Sequence, residues 1–135
     1  MKISSKKDTT EDPSRQSISV HCVNYTIFLS PPDISCLEGE GNYTYIYTHS
    51  GKKYLVPKTI KNLQSHLHDC EEFLRVHKSY VINTKHIVDY INHDRSIKMA
   101  GGKEVFISRR KSKEIIQILS AVLSVSRPFN TSSYT

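Results

Sequence analysis

Apolar and polar residues alternate over most of residues 18–107, and the period is that of strands rather than helices. Ile18 to Leu29 is a run rich in β-branched and aromatic residues, stopped by Pro31-Pro32. Ile34 to Glu38 is a short second run, and Gly39-Glu40-Gly41-Asn42 has the composition of a turn or loop. Tyr43 to Thr48 alternates cleanly, with Tyr43, Tyr45 and Tyr47 on one face and Thr44, Ile46 and Thr48 on the other. Ser50-Gly51 turns the chain and Lys52 to Val56 returns, which predicts a hairpin. The period then changes. Ile60, Leu63 and Leu67 fall on one face of a helix over 59–69, with Thr59 placed to cap it. Strand patterns resume at Phe73–Val76, Tyr80–Ile82, His86–Ile91, Ser96–Met99 and Glu104–Ile107, broken by Asn92-His93-Asp94 and Gly101-Gly102. A last helix is predicted from Ser108 to Leu123, with Ile115, Ile118, Leu119 and Val122 as its buried stripe. Strands follow strands, so the expected fold is a β-rich α+β domain. It has short, mostly antiparallel strands, one short middle helix and a C-terminal helix.

The ends lack this patterning. Residues 1–17 are polar and read as a disordered tail, residues 18–123 as the folded domain, and residues 124–135, with Pro128 and Asn130-Thr131-Ser132-Ser133, as a flexible second tail. At 135 residues the chain has the length of one small domain. Nineteen Lys and Arg against thirteen Asp and Glu give a net charge of +6, which favours a polyanionic partner and on its own fits a ribosome-sized assembly or a membrane surface equally well. No apolar run approaches the roughly 18 residues of a membrane helix, and no secretory signal pattern follows Lys2, Lys6 and Lys7. Cys22, Cys36 and Cys70 are odd in number and lack metal-type spacing, as expected of small buried side chains in a reducing, cytoplasmic setting.

The chemistry-bearing patterns point away from catalysis. There is no nucleophile elbow and no glycine loop of the phosphate-binding kind. His66 and His68 sit two apart on a predicted helix and cannot share a ligand, while His77 and His86 are isolated. An enzyme, a metal site and a cofactor are therefore not expected. Three polar clusters stand out instead. Ser108 reads as a helix cap followed by Arg109, Arg110 and Lys111 in the first turn, where cations oppose the helix dipole and would welcome an anion; a plain solvated basic face is the alternative. In Arg75-Val76-His77-Lys78-Ser79-Tyr80, Val76 and Tyr80 point inward while the cations stay near the surface, suited to phosphate or base edges. A core histidine held by the backbone is an equally good reading of His77. Glu40-Gly41-Asn42-Tyr43-Thr44 could offer polar groups to a groove, or be only a hairpin turn.

Taken together these segments resemble the LytTR DNA-binding domain of bacterial transcription regulators, from about Ile18 to Leu123. The matching words are Asp33-Ile34 leading to LEGEGNYT at 37–44, the helix from Ile60 to Leu67, FLRVHKSYVIN at 73–83, and VFISRR at 105–110. The resemblance implies loops, rather than a recognition helix, entering successive major grooves of double-stranded DNA. Carried onto this chain, the first reading loop falls at Asn42, Tyr43 and Thr44. The second falls at His77, Lys78 and Ser79, and the third at Arg109, with Arg110 and Lys111 on the backbone beside it. Many relatives carry a receiver domain before this module. Only about 17 residues precede it here, too few for one, so regulation is expected from a sensor or other protein partner, or from abundance. A homodimer on paired half-sites is compatible with such a module, with Ile116 and Leu123 as the candidate surface. Two other readings use the same scaffold: a protein-interaction module with Tyr43, Tyr45, Tyr47 and Tyr54 as its surface, and a single-stranded nucleic-acid binder stacking bases on those rings.

Overall fold

The computed structural model describes residues 17–22 and 24–126; residues 1–16 of the tail expected over 1–17, and residues 127–135 of that expected over 124–135, lie outside them. The described elements are β1 (Ile18–His21), β2 (Thr26–Leu29), β3 (Ile34–Glu40), β4 (Tyr43–Thr48), β5 (Lys53–Val56), α1 (Ile60–Ser65), β6 (Phe73–His77), β7 (Tyr80–Asn83), β8 (Ile87–Ile91), β9 (Ser96–Met99), β10 (Glu104–Phe106) and α2 (Ser112–Ser126). Every strand pairing among them is antiparallel. The α+β, strand-rich architecture is thus the one the hydrophobic pattern predicts.

A five-stranded sheet in the order β5-β4-β3-β7-β6 is the middle layer. Both faces of its central strands are covered, so β3 and β7 are buried nearly throughout rather than on alternate residues. Cys36 and Ile82 join one core with Val76, Ile97, Val105, Ile115 and Leu119, beneath the three-stranded sheet β10-β9-β8 and α2. Leu37 and Val81 join the other with Ile46, Val56, Ile60 and Leu63, beneath α1 and the β1–β2 hairpin. Each fully buried aliphatic side chain of this kind stabilises the fold by about 1.5–3 kcal/mol. β4 alternates as predicted, with Thr44, Ile46 and Thr48 buried and the tyrosines on the other face. Burial pushes the Cys36 thiol up to about 12, so it behaves as an unreactive hydrophobe.

Two joints fasten the three-stranded sheet to the middle one. At one, the Ser35 hydroxyl donates to Ala100 O at 2.8 Å. Gly101, at φ +96°, sits so close to the β4–β5 turn that a Cβ there would lie 2.4 Å from the Thr48 carbonyl oxygen. At the other, Lys103 Nζ lies 3.1 Å from Glu38 Oε1 and 5.0 Å from the Tyr47 ring centroid. Tyr47 and Tyr80 both donate their hydroxyls to the same carboxylate, at 2.8 and 3.3 Å. Burial alone would raise the Glu38 carboxyl, but these bonds and the Lys103 charge outweigh it and hold the group below its ordinary value of 4.5. A carboxyl depressed by folding contributes stability that is present above its unfolded value and lost as pH falls through the folded one. The melting temperature should therefore decline as pH falls below 4.5, and Glu38→Gln should make that decline shallower in a thermal melt series.

Several expected boundaries differ. The run from Ile18 to Leu29 folds back on itself: Cys22 N donates to Tyr25 O at 2.7 Å, pairing β1 with β2. Asn24 is the one turn-prone residue in that bend, which is why the composition reads as continuous strand. α1 ends at Ser65 and turns carry the chain on to residue 69, although Leu67 is buried as expected. The last helix starts at Ser112, not just after Ser108, and runs past Leu123 to Ser126, into the stretch expected as a tail. Ser108 N donates to Val76 O and Ile107 N to Arg95 O, so this segment still belongs to the sheets. Lys111 O accepts the first helical bond, from Ile115 N. Within α2, Ile115 and Leu119 are buried and Ile118 and Val122 half-buried. Ile116, expected as a free surface for a second copy, packs partly against the core, and the Leu123 side chain lies outside the described ones.

Candidate nucleic-acid interface

Three turns carry the residues singled out in the sequence. The first joins β3 to β4 through Gly41 and Asn42. Gly41 has φ +63° and Asn42 has no positive φ, the pattern of a two-residue II′ hairpin turn that glycine at its first position permits. Asn42 and Tyr43 are exposed at its tip. Thr44 is not: it is 0% exposed and its hydroxyl donates to Lys58 O at 2.7 Å. Alternation along β4 turns Thr44 into the core beside Ile46, so this expected reading residue is a structural one.

The second turn joins β6 to β7. Lys78 is exposed, and His77 and Ser79 are half-buried. His77 Nδ1 accepts from Ser79 N at 3.0 Å, and its ring lies 5.4 Å from that of Tyr80. In the neutral ring this bond leaves the proton on Nε2, a donor available to a ligand. The histidine is therefore both held by the backbone, as one reading of the sequence had it, and still partly open. Arg75 clamps the turn from beneath. Its Nε donates to His77 O at 3.0 Å, Nη2 donates to Lys78 O, and Nη1 donates to Gln64 Oε1 at 3.0 Å. The sequence reading saw Arg75 only as a surface cation. Its role comes from a tight turn that brings two carbonyls back over one guanidinium, and no spacing rule announces that.

The third segment, Arg109 to Lys111, is exposed. It forms a turn before α2 rather than its first turn, closed by Lys111 N to Ser108 O and Ser112 N to Arg109 O, with the Ser112 hydroxyl also on Arg109 O. The first turn of α2 instead holds Glu114, the sign its dipole favours. Lys111 stands at the cap and Lys113 shares the first turn with Glu114, so the expected conflict between cations and dipole is eased by one carboxylate and not removed. The cationic cluster is present as expected.

These segments meet. Arg75, His77, Lys78, Ser108, Arg109, Arg110 and Lys111 line one open cleft of about 670 Å³. β3 runs antiparallel to β7 with Glu38 opposite Tyr80, and Gly39 N donates to Ser79 O at 2.8 Å. The Asn42 turn and the Lys78 turn therefore lie at the same end of the middle sheet. A small scaffold thus presents exposed cations, amides and an imidazole along one end, the donor set that phosphate oxygens and the acceptor-rich edges of guanine require. The tyrosines do not make an equivalent surface. Tyr54 pairs with Ile46 on the opposite face from Tyr43, Tyr45 and Tyr47, and the Tyr47 hydroxyl is held by Glu38.

No helix of the described residues is long and apolar enough to cross a membrane. Comparison with known proteins agrees with the geometry. The chain is 29% identical over 109 residues to the heme-containing CO-sensing transcriptional regulator RcoM 1 of Paraburkholderia xenovorans (strain LB400), covering 78% of this chain and 40% of that protein. It is 26% identical over 132 residues to RcoM 2 of the same strain, covering 85% and 49%. The chain thus spans less than half the length of these curated relatives. The LytTr DNA-binding domain of a Bacillus cereus protein superposes with a TM-score of 0.62 at 19% identity, over 77% of this chain and 95% of that one, which shows a shared fold. Residues 24–120 match the family described as LytTr DNA-binding domain. That span contains all three turns and all of both cores except the β1 residues, and the chain belongs to the LytTR family of DNA-binding domains, a family of domains of transcription regulators.

Proposed function

We propose that this domain is the sequence-specific, double-stranded DNA-binding module of a transcription regulator, and that it reads major grooves with side chains on turns. The observation that carries the reading is the convergence of Asn42, Lys78 and Arg109 at one end of the scaffold, two of them on a shared cleft. In this reading Asn42, His77, Lys78 and Arg109 face base edges, with Tyr43 and Ser79 beside them. Arg110 and Lys111 grip phosphates next to Arg109. Arg109 suits a guanine, whose O6 and N7 accept both arms of a guanidinium.

Selection from a random duplex library, followed by titration of the selected site, tests the proposal. Arg109→Ala should weaken the selected duplex by about 1–3 kcal/mol while barely changing random duplex. Equal losses on both would make Arg109 a phosphate contact. Absence of any duplex binding at low salt, or tighter binding to the single strand, would defeat the proposal itself.

A further inference from the structure

Glu40 is an acidic side chain where cations are expected. It ends β3 next to the Gly41-Asn42 turn and is exposed. Register pairs it with Tyr43, and Glu38, two residues back on the same face, pairs with both Tyr45 and Tyr80. On that face Cys36 belongs to the core that also holds Val105, Ile107 and Ile115, so Glu40 lies on the side of the sheet that carries the segment leading to Arg109. It is near enough to the second turn for its charge to act on Tyr80, whose hydroxyl is pushed up by burial first and then by Glu38 and Glu40. Among the described residues, no hydrogen bond or ion pair engages the Glu40 carboxylate. Glu38, two positions away, is by contrast held by Lys103 and two tyrosines.

A free carboxylate at the end of a domain that approaches polyphosphate is repelled by every duplex alike. The repulsion is relieved only where the nucleic acid offers a hydrogen-bond donor at that place. In the major groove the base-edge donors are the exocyclic amines, and a lone carboxylate acceptor suits the N4 amine of cytosine, whereas adenine pairs its amine with an acceptor at N7 that a carboxylate cannot satisfy. Resting on the major-groove reading proposed above, we infer that Glu40 is a specificity-determining residue that accepts a hydrogen bond from a cytosine N4 amine beside the base met by the first turn. Its carboxylate lowers affinity for wrong sequences as much as it rewards the right one.

Library selection with the full chain and with Glu40→Ala and Glu40→Gln tests this. The exposed position lets both variants fold, which a thermal melt verifies. The parent should select cytosine at one position. Glu40→Ala should lose about tenfold discrimination at that position alone and bind random duplex about threefold more tightly, as loss of one repelling charge requires. Glu40→Gln should shift that position toward adenine, whose N6 and N7 fit a carboxamide. The inference is overturned if both variants select the same base as the parent at every position, or if the base that depends on Glu40 is not cytosine. Arg109→Ala, run in parallel, separates the failures. If it loses preference while the Glu40 variants do not, Glu40 is a bystander on a working interface; if the parent selects no sequence, the interface reading falls and this one with it.

Discussion

Replacing Arg75 with alanine will cost about 2–4 kcal/mol of affinity for the selected duplex, yet leave the salt dependence of the remaining binding almost as it was. Charge-assisted hydrogen bonds contribute about 1.5–3 kcal/mol each. Arg75 makes three, to His77 O, Lys78 O and Gln64 Oε1. The substitution frees the turn that aims His77 and Lys78, and their lost order must be restored at each binding event. Part of the loss is returned because the two carbonyls are near water. A phosphate contact behaves differently: its removal lowers the slope of log K against log salt by about 0.9. Titrating the variant at several salt concentrations therefore separates a residue that positions its neighbours from one that touches the nucleic acid. Arg75→Lys, which keeps the charge but not the planar fork, should rescue little. A reduced slope together with rescue by lysine would make Arg75 a direct contact.

Gly101→Ala will destabilise the domain by about 2–4 kcal/mol, read as a lower denaturation midpoint in urea. Two effects add. The residue sits at φ +96°, where a side chain is strained, and the new Cβ would meet the Thr48 carbonyl oxygen at 2.4 Å. That oxygen is backbone in the β4–β5 turn and also accepts from Gly51 N, so it cannot swing aside. Gly102 supplies the control. It has nearly the same φ, +97°, with nothing within 4 Å of its absent Cβ, so Gly102→Ala should cost about 1 kcal/mol from strain alone. Equal effects at the two positions would show that the close approach of the two hairpins contributes nothing.

What the sequence revealed and concealed divides by the range of the forces involved. Strands and turns are local: alternation through Tyr43–Thr48 and the glycines at 41, 51, 101 and 102 marked β4 and its neighbouring hairpins correctly. The family words at 37–44, 73–83 and 105–110 contain the three turns that carry the candidate residues. Positions whose fate depends on distant chain were misjudged. Thr44 looked like a loop donor, but its hydroxyl is taken by the carbonyl of Lys58, across the β4–β5 hairpin. Ser108 looked like a helix cap, but its amide is held by Val76 on β6, which keeps the chain extended and delays α2. The clamp by Arg75 and the isolation of the Glu40 carboxylate are likewise visible only once strands from different parts of the chain lie together.

The bond from Ser108 to Val76 stitches the Arg109 segment to the very strand that ends in His77. Their spacing is thus a dimension of a solid body, with no slack chain between them. On the groove reading proposed above, an operator that gains or loses a base pair between the positions met by these two segments would present the second one displaced along the axis and rotated around it, and a rigid reader would have no means to follow. Substitutions within such a spacer should then change little, whereas changes in its length should break the match.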